Sequence, residues 1–134
     1  MQRLVDATEL VPVEYPATRL LEATAQDRAA DVNAACADPS IRAVHATIGG
    51  NDQVTAIRPI DAEIVAANPK PFVGYSDNTN FHNLLWGLGV PSFYGGSTQV
   101  HLGPGPRVDD IHVLSLRAAR LAGGPIELTE PGEA

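Results

Sequence analysis

Apolar positions along the chain fall into short blocks cut by glycine, proline and acidic residues, and their spacing alternates between helical and strand-like periods. Residues 1–9 read as the end of a helix. Leu10 to Tyr15 read as a strand, broken by Pro12 and closed by Pro16, which makes it an edge strand or an irregular one. Thr24-Ala25-Gln26-Asp27 carries a capping-box pattern, and the helix it opens runs to about Ala37, where Asp38-Pro39 ends it. Ala29, Ala30, Val32, Asn33 and Cys36 share the inner face of that helix, with Arg28 and Asp31 near each other on the outer side. Ile41 to Ile48 predicts a strand that ends in Gly49-Gly50-Asn51-Asp52. Val54 to Ile57 and Asp61 to Ala67 predict two short helices split by Pro59, the second capped by Asp61.

The richest stretch follows, from Pro69 to Trp86. Pro71-Phe72-Val73-Gly74 is short, apolar and β-favouring. Phe81, Leu84, Leu85 and Leu88 then recur at helical spacing. Between the two lie Gly74, Tyr75, Ser76 and Asp77. A strand turning at once into a helix, with serine at the corner and glycine two residues before it, has the layout of a nucleophile elbow. The second glycine of that pattern is replaced by Asn78. The same four residues also suit a plain helix N-cap, and local sequence leaves both readings open. Gly49-Gly50 is open in the same way. A glycine pair at the carboxyl end of a strand lets backbone approach a ligand, and it also makes an ordinary turn.

Beyond this stretch, Ser92-Phe93-Tyr94 predicts a strand, 97–108 a loop, Asp109 the opening of a helix ending at Gly123-Gly124, and Pro125 to Thr129 a last strand before a frayed tail. Strands alternating with helices predict an α/β fold, a mostly parallel sheet with helices on both faces. The 134 residues suffice for one domain with a core, at 44% apolar composition. A net charge of −7 without a basic cluster argues against nucleic acid and anionic membrane as partners. The single cysteine, Cys36, reads as a small core residue, and one thiol can form neither an internal disulfide nor a thiolate metal cluster. No signal peptide and no membrane-length apolar run is recognisable, so a cytoplasmic location is expected.

Four blocks in order, Arg28 to Pro39, Thr47 to Asp52, Ala67 to Thr79 and Phe93 to Gly95, resemble the LD-carboxypeptidase family of serine peptidases. Gly49-Gly50-Asn51-Asp52 is more similar to the microcin C immunity branch than to the murein-recycling enzymes, which carry Gly-Gly-Tyr-Gly there. The resemblance covers about residues 10 to 128. It implies that Ser76 is the nucleophile and that backbone N–H groups of Asp77 and Gly50 hold the oxyanion, with Gly49, Asn51 and Tyr75 beside the substrate. No cofactor is expected, and the carboxylates and histidines do not cluster at metal-ligand spacing. The substrate would be a small peptide, an aminoacyl group or an aminoacyl-nucleotide-like molecule.

The resemblance also implies a His base oriented by a Glu, both in a carboxy-terminal domain. Residues 1–129 then form the amino-terminal nucleophile domain without its first strand, and 130–134 a tail leading toward that second domain, with a homodimer as a further expectation. None of the local histidines is assigned as base. His82 lies six residues after Ser76, about 240° round and about 9 Å along an ideal helix, facing away. His101 and His112 read as surface residues. A non-catalytic small-ligand-binding domain, or a truncated gene product, are the rival readings.

Overall fold

The computed structural model describes residues 2–103 and 105–121. The expected strand at 125–129 and the tail at 130–134 lie outside the described residues. Three strands, β1 (Val44–His45), β2 (Phe72–Gly74) and β3 (Ser92–Tyr94), form a parallel sheet in the order β1-β2-β3. Val44 pairs with Phe72, and Phe72 with Ser92, so β2 is the central strand.

Alternation along β2 sorts the helices onto two layers. Phe72 packs on one side with Cys36, Val65, Phe81, Leu85 and Val90. Those residues come from α2 (Ala25–Ala37), α4 (Ala62–Ala67) and α5 (Thr79–Gly87), with Val90 just beyond α5. Val73 packs on the other side with Leu4, Leu102 and Leu116, which brings in α1 (Gln2–Thr8) and α6 (Asp110–Leu121). The fold is therefore α/β with both sheet faces covered, as the alternation of elements predicts.

Helix ends follow the sequence closely. Thr24 accepts from the Asp27 N–H while the Asp27 carboxylate accepts from the Thr24 N–H, closing the capping box. Asp61 accepts from the N–H groups of Glu63 and Ile64. Gly89, with φ of 73°, lets the Val90 N–H reach back to the Leu85 carbonyl and ends α5.

Three expectations are corrected. Residues 10–15 form no strand. Pro12 and Pro16 lack the N–H donors a ladder needs, and an apolar cavity of about 340 Å³ opens between residues 10–15 and residues 40–45. The strand expected over 41–48 is confined to its middle, although the Ala46 N–H still donates to Val73. On α2, Ala30 faces solvent and Ala35 takes the inner position beside Ala29 and Cys36. Arg28 and Asp31, three positions apart on α2, have separate partners: Arg28 pairs with Asp52, and Asp31 accepts from the Ala17 N–H. Cys36 is buried, and burial pushes its thiol pKa up, as befits a packed small residue.

Candidate active site

The corner after β2 begins with Gly74, whose hydrogen faces the start of α5. A Cβ there would stand 2.7 Å from Phe72 Cζ and 2.9 Å from Asn78 Cβ. That absence of a side chain brings the helix down onto the strand. Two residues on, Ser76 has φ of 58°, in the left-handed region that side chains other than glycine and asparagine rarely occupy. Its N–H donates to the Tyr94 hydroxyl at 3.0 Å, and its carbonyl accepts from Thr79 Oγ1 at 2.6 Å. The corner is thus held from both ends while the serine itself stays exposed.

The 49–52 turn lies directly against this corner. A Cβ on Gly49 would come within 2.9 Å of Ser76 Cβ and 3.2 Å of its Oγ, and one on Gly50 within 3.1 Å of Asp77 Oδ2. Arg28 reaches from α2 to hold the turn's end by two bonds of 2.9 Å to Asp52. Those bonds keep the Asp52 carboxyl below the usual carboxylate range. The Asp77 carboxylate accepts from the Gln53 N–H at 2.8 Å, at the start of α3 (Gln53–Ile57), and from Asn80 Nδ2 at 2.9 Å. The structure therefore brings Gly49, Gly50, Ser76 and Asp77 together. Asn51 is exposed on the same turn, and Tyr75 is half-buried with its ring 5.4 Å from that of His101.

Four residues of this neighbourhood were missed as its supports. Arg28 and Asp52 both lie in segments that resemble the family, but they stand 24 positions apart and nothing local announces that they pair. Tyr94 gave a weak signal, as a polar aromatic at the end of the strand beside β2. Gln53 gave none. Asn78, noted as a departure from the elbow pattern, is only 4% exposed and its amide bonds the Ile48 and Tyr75 carbonyls.

The histidines divide. His82 Nε2 donates to the Gly74 carbonyl at 3.1 Å, which leaves Nδ1 to accept from Ser92 Oγ at 2.7 Å. It is engaged away from Ser76, as its helical position predicts. His45 lies half-buried in β1. His101 and His112 are corrected from surface residues: both are half-buried, with rings 5.1 Å apart. The Ser97 N–H donates to His101 Nδ1 at 2.9 Å, fixing the proton of the neutral ring on Nε2. Burial, and to a lesser degree the charge of His112, lower the His101 pKa from its ordinary 6.5. Unfolded chain therefore takes up the proton first. Stability is full above pH 6.5 and is expected to fall as pH drops from there toward the lowered native value. A ring-proton NMR titration should place the His101 midpoint below 6.5, and His112→Gln should move it upward.

A serine in the left-handed region, at the exposed end of a central parallel strand and packed against a di-glycine turn, is the distinguishing feature of this α/β domain. Residues 3–95 match the LD-carboxypeptidase N-terminal domain. The chain belongs to the LD-carboxypeptidase family. It is 34% identical over 92 residues to the Microcin C7 self-immunity protein MccF of Escherichia coli, a match covering 66% of this chain and 26% of that one. It is 35% identical over 89 residues to a Vibrio cholerae protein whose name assigns it provisionally to the carboxypeptidases, covering 63% and 26%. The match spans about a quarter of the length of these relatives.

In three dimensions the chain resembles MccF in complex with aspartyl sulfamoyl adenosine, with a TM-score of 0.70 and 28% identity over 77% of this chain and 31% of that one. A second MccF structure, in complex with glutamyl sulfamoyl guanosine, gives 0.67 and 27% over 83% and 31%. Among the described residues no helix is long and apolar enough to cross a membrane, and no group of three or more His, Cys, Asp and Glu side chains converges as metal ligands do. The 340 Å³ cavity beside β1 includes none of the elbow residues in its lining.

Proposed function

We propose that this chain carries the nucleophile half of a serine-type carboxypeptidase or amidase. Ser76 Oγ attacks the carbonyl carbon of an amide, or of an acyl group joined to a nucleotide-like carrier. The carbonyl oxygen becomes an oxyanion, taken up by the N–H groups of Asp77 and Gly50. The leaving group departs with a proton, and water then releases the acyl group from Ser76. Each well-placed donor contributes about 3 kcal/mol to lowering such a barrier. Gly49 clears space for the serine, while Asn51 and Tyr75 flank the substrate. The general base, a histidine oriented by a glutamate, is supplied by a carboxy-terminal domain or by a partner chain. A cytoplasmic setting and an aminoacyl-nucleotide-like substrate complete the reading.

The observation that carries it is the φ of 58° at Ser76 beneath Gly49. Backbone strain of about 1–3 kcal/mol at an exposed serine persists when the surrounding fold imposes it, and such strain gathers at reactive sites. A plain N-cap needs only β-region backbone and gives no reason for it.

Labelling by a fluorophosphonate, read by peptide mass spectrometry, tests the reading. Ser76 is expected to take the adduct ahead of the other serines, slowly because its base is supplied from elsewhere, and Ser76→Ala should abolish that adduct. Labelling spread evenly over the serines, or none at millimolar probe, overturns the reading. A ligand-binding domain without turnover is the second reading, favoured by the engagement of His82 with Gly74 and Ser92. Calorimetric binding of an aminoacyl sulfamoyl adenosine, with the ligand recovered intact and Ser76 unlabelled, is its signature.

A further inference from the structure

We infer that Asn78 and Gln53 form a positioning strut that fixes the distance between the two N–H groups of the oxyanion site, an inference resting on the reading of Ser76 above. The two groups stand on different segments. Asp77 is on the corner after β2, and Gly50 is on a turn of two glycines, the residues with the greatest backbone freedom. Something must hold that turn in register with the corner.

The side chain of Asn78 spans the gap. Its Nδ2 donates to the Ile48 carbonyl at 3.1 Å, the peptide group entering Gly49, and to the Tyr75 carbonyl at 2.9 Å, the peptide group entering Ser76. Its Oδ1 accepts from Gln53 Nε2 at 2.7 Å. Gln53 extends the brace in two further directions. Its Oε1 accepts from the Phe81 N–H at 3.2 Å, anchoring the strut to α5. Its own N–H donates to Asp77 Oδ2, the oxygen that Gly50 packs against.

One amide pair, Asn78 buried and Gln53 half-buried, thus ties the Gly-Gly turn, the serine corner, α3 and α5. An aliphatic residue at position 78 fills comparable space but bonds none of these groups, leaving the Ile48 carbonyl without this tie. Buried polar groups of this kind specify one arrangement over its neighbours. Arg28 secures the far end of the same turn through Asp52, so the strut governs the end nearest the serine.

Neither side chain touches the reacting atoms, and the test separates positioning from support of the fold. Backbone 15N relaxation is compared in the full chain and in Asn78→Leu. Gly49, Gly50 and Asn51 are expected to lose order, and the Phe81 amide to exchange about three- to tenfold faster. Val65 and Leu85 should be unchanged. Gln53→Met, at a half-buried position, should produce the same pattern more weakly, and it carries the test should Asn78→Leu not fold.

In the variants the rate of Ser76 labelling by fluorophosphonate should fall about tenfold or more, at a melting temperature within a few degrees of the parent. Unchanged relaxation at residues 49–51, or loss of order spread evenly over the core, overturns the strut. Looser turn residues with unchanged labelling reduce it to a structural brace and leave Ser76 standing. A parent chain that is never labelled removes the reading of Ser76, while relaxation in the Ser76→Ala background still decides whether the strut fixes the spacing.

Discussion

A valine at position 74 is expected to cost the domain about 3 kcal/mol, the upper part of the range for overpacking a core, and to lower the urea midpoint by about 1–2 M. The reason lies in both directions from the missing Cβ. Phe72 Cζ is 2.7 Å and Asn78 Cβ 2.9 Å from where it would stand. Phe72 is held by an edge-to-face contact with Phe81 at 4.8 Å and a tilted contact with His82 at 4.9 Å, so its ring has nowhere to retreat. Asn78 is tied to Ile48, Tyr75 and Gln53 and is equally fixed. Alanine at 74 should show the same effect at smaller size. Gly87→Ala is the matched control. A Cβ there meets nothing within 4 Å, and at the last residue of α5 it should stabilise by up to about 0.5 kcal/mol. A Gly74→Val chain as stable as the parent would mean that α5 can lift from β2 without loss, and the account of the corner would have to be abandoned.

The second large effect is expected from truncating Phe72 to alanine, at about 3–5 kcal/mol. Phe72 is 4% exposed and is the strand residue about which Cys36, Val65, Phe81, Leu85 and Val90 assemble. Its removal leaves a void bounded by α2, α4 and α5, of which α4 is capped by Asp61 and α5 is ended by the Gly89 turn, which limits collapse. Against a typical net stability of about 5–15 kcal/mol, the variant should unfold at much lower urea or be only partly folded at 37 °C. Circular dichroism across a urea series gives the answer. Val73→Ala, on the opposite face, should cost less because fewer carbon atoms are removed.

The parts of this fold legible in the sequence are those decided locally. The capping box at Thr24 and Asp27, the Asp61 cap, the stop at Asp38-Pro39 and the central strand all follow from chemistry within a few residues. The corner itself was visible as a pattern, but its distinguishing feature, the φ of 58° at Ser76, was not. The residues packed against that corner, Gly49 on the turn after β1 and Tyr94 on β3, are distant in sequence, so local pattern does not announce it. Residues 10–15 show the opposite case. Their apolar alternation is strand-like, yet two prolines and the cavity beside residues 40–45 leave no ladder to join. Long-range polar pairs were illegible for a related reason. Arg28 with Asp52 spans 24 positions and Gln53 with Asn78 spans 25. Periodicity within one element carries no information about such partners. The family resemblance put Arg28 and Asp52 in the right blocks without saying that they touch.

Trp86 lies on α5, the helix that leads away from Ser76, and is 83% exposed. It is the single tryptophan of the chain. Its indole already meets water in the native state, so its emission colour is nearly the same before and after unfolding. The intrinsic fluorescence of this protein is consequently a poor thermometer of folding and a sensitive gauge of contact. A blue shift or a change in quenching by iodide signals that another surface has come down over the outer side of α5, whether the protein is folded to begin with being a question for circular dichroism.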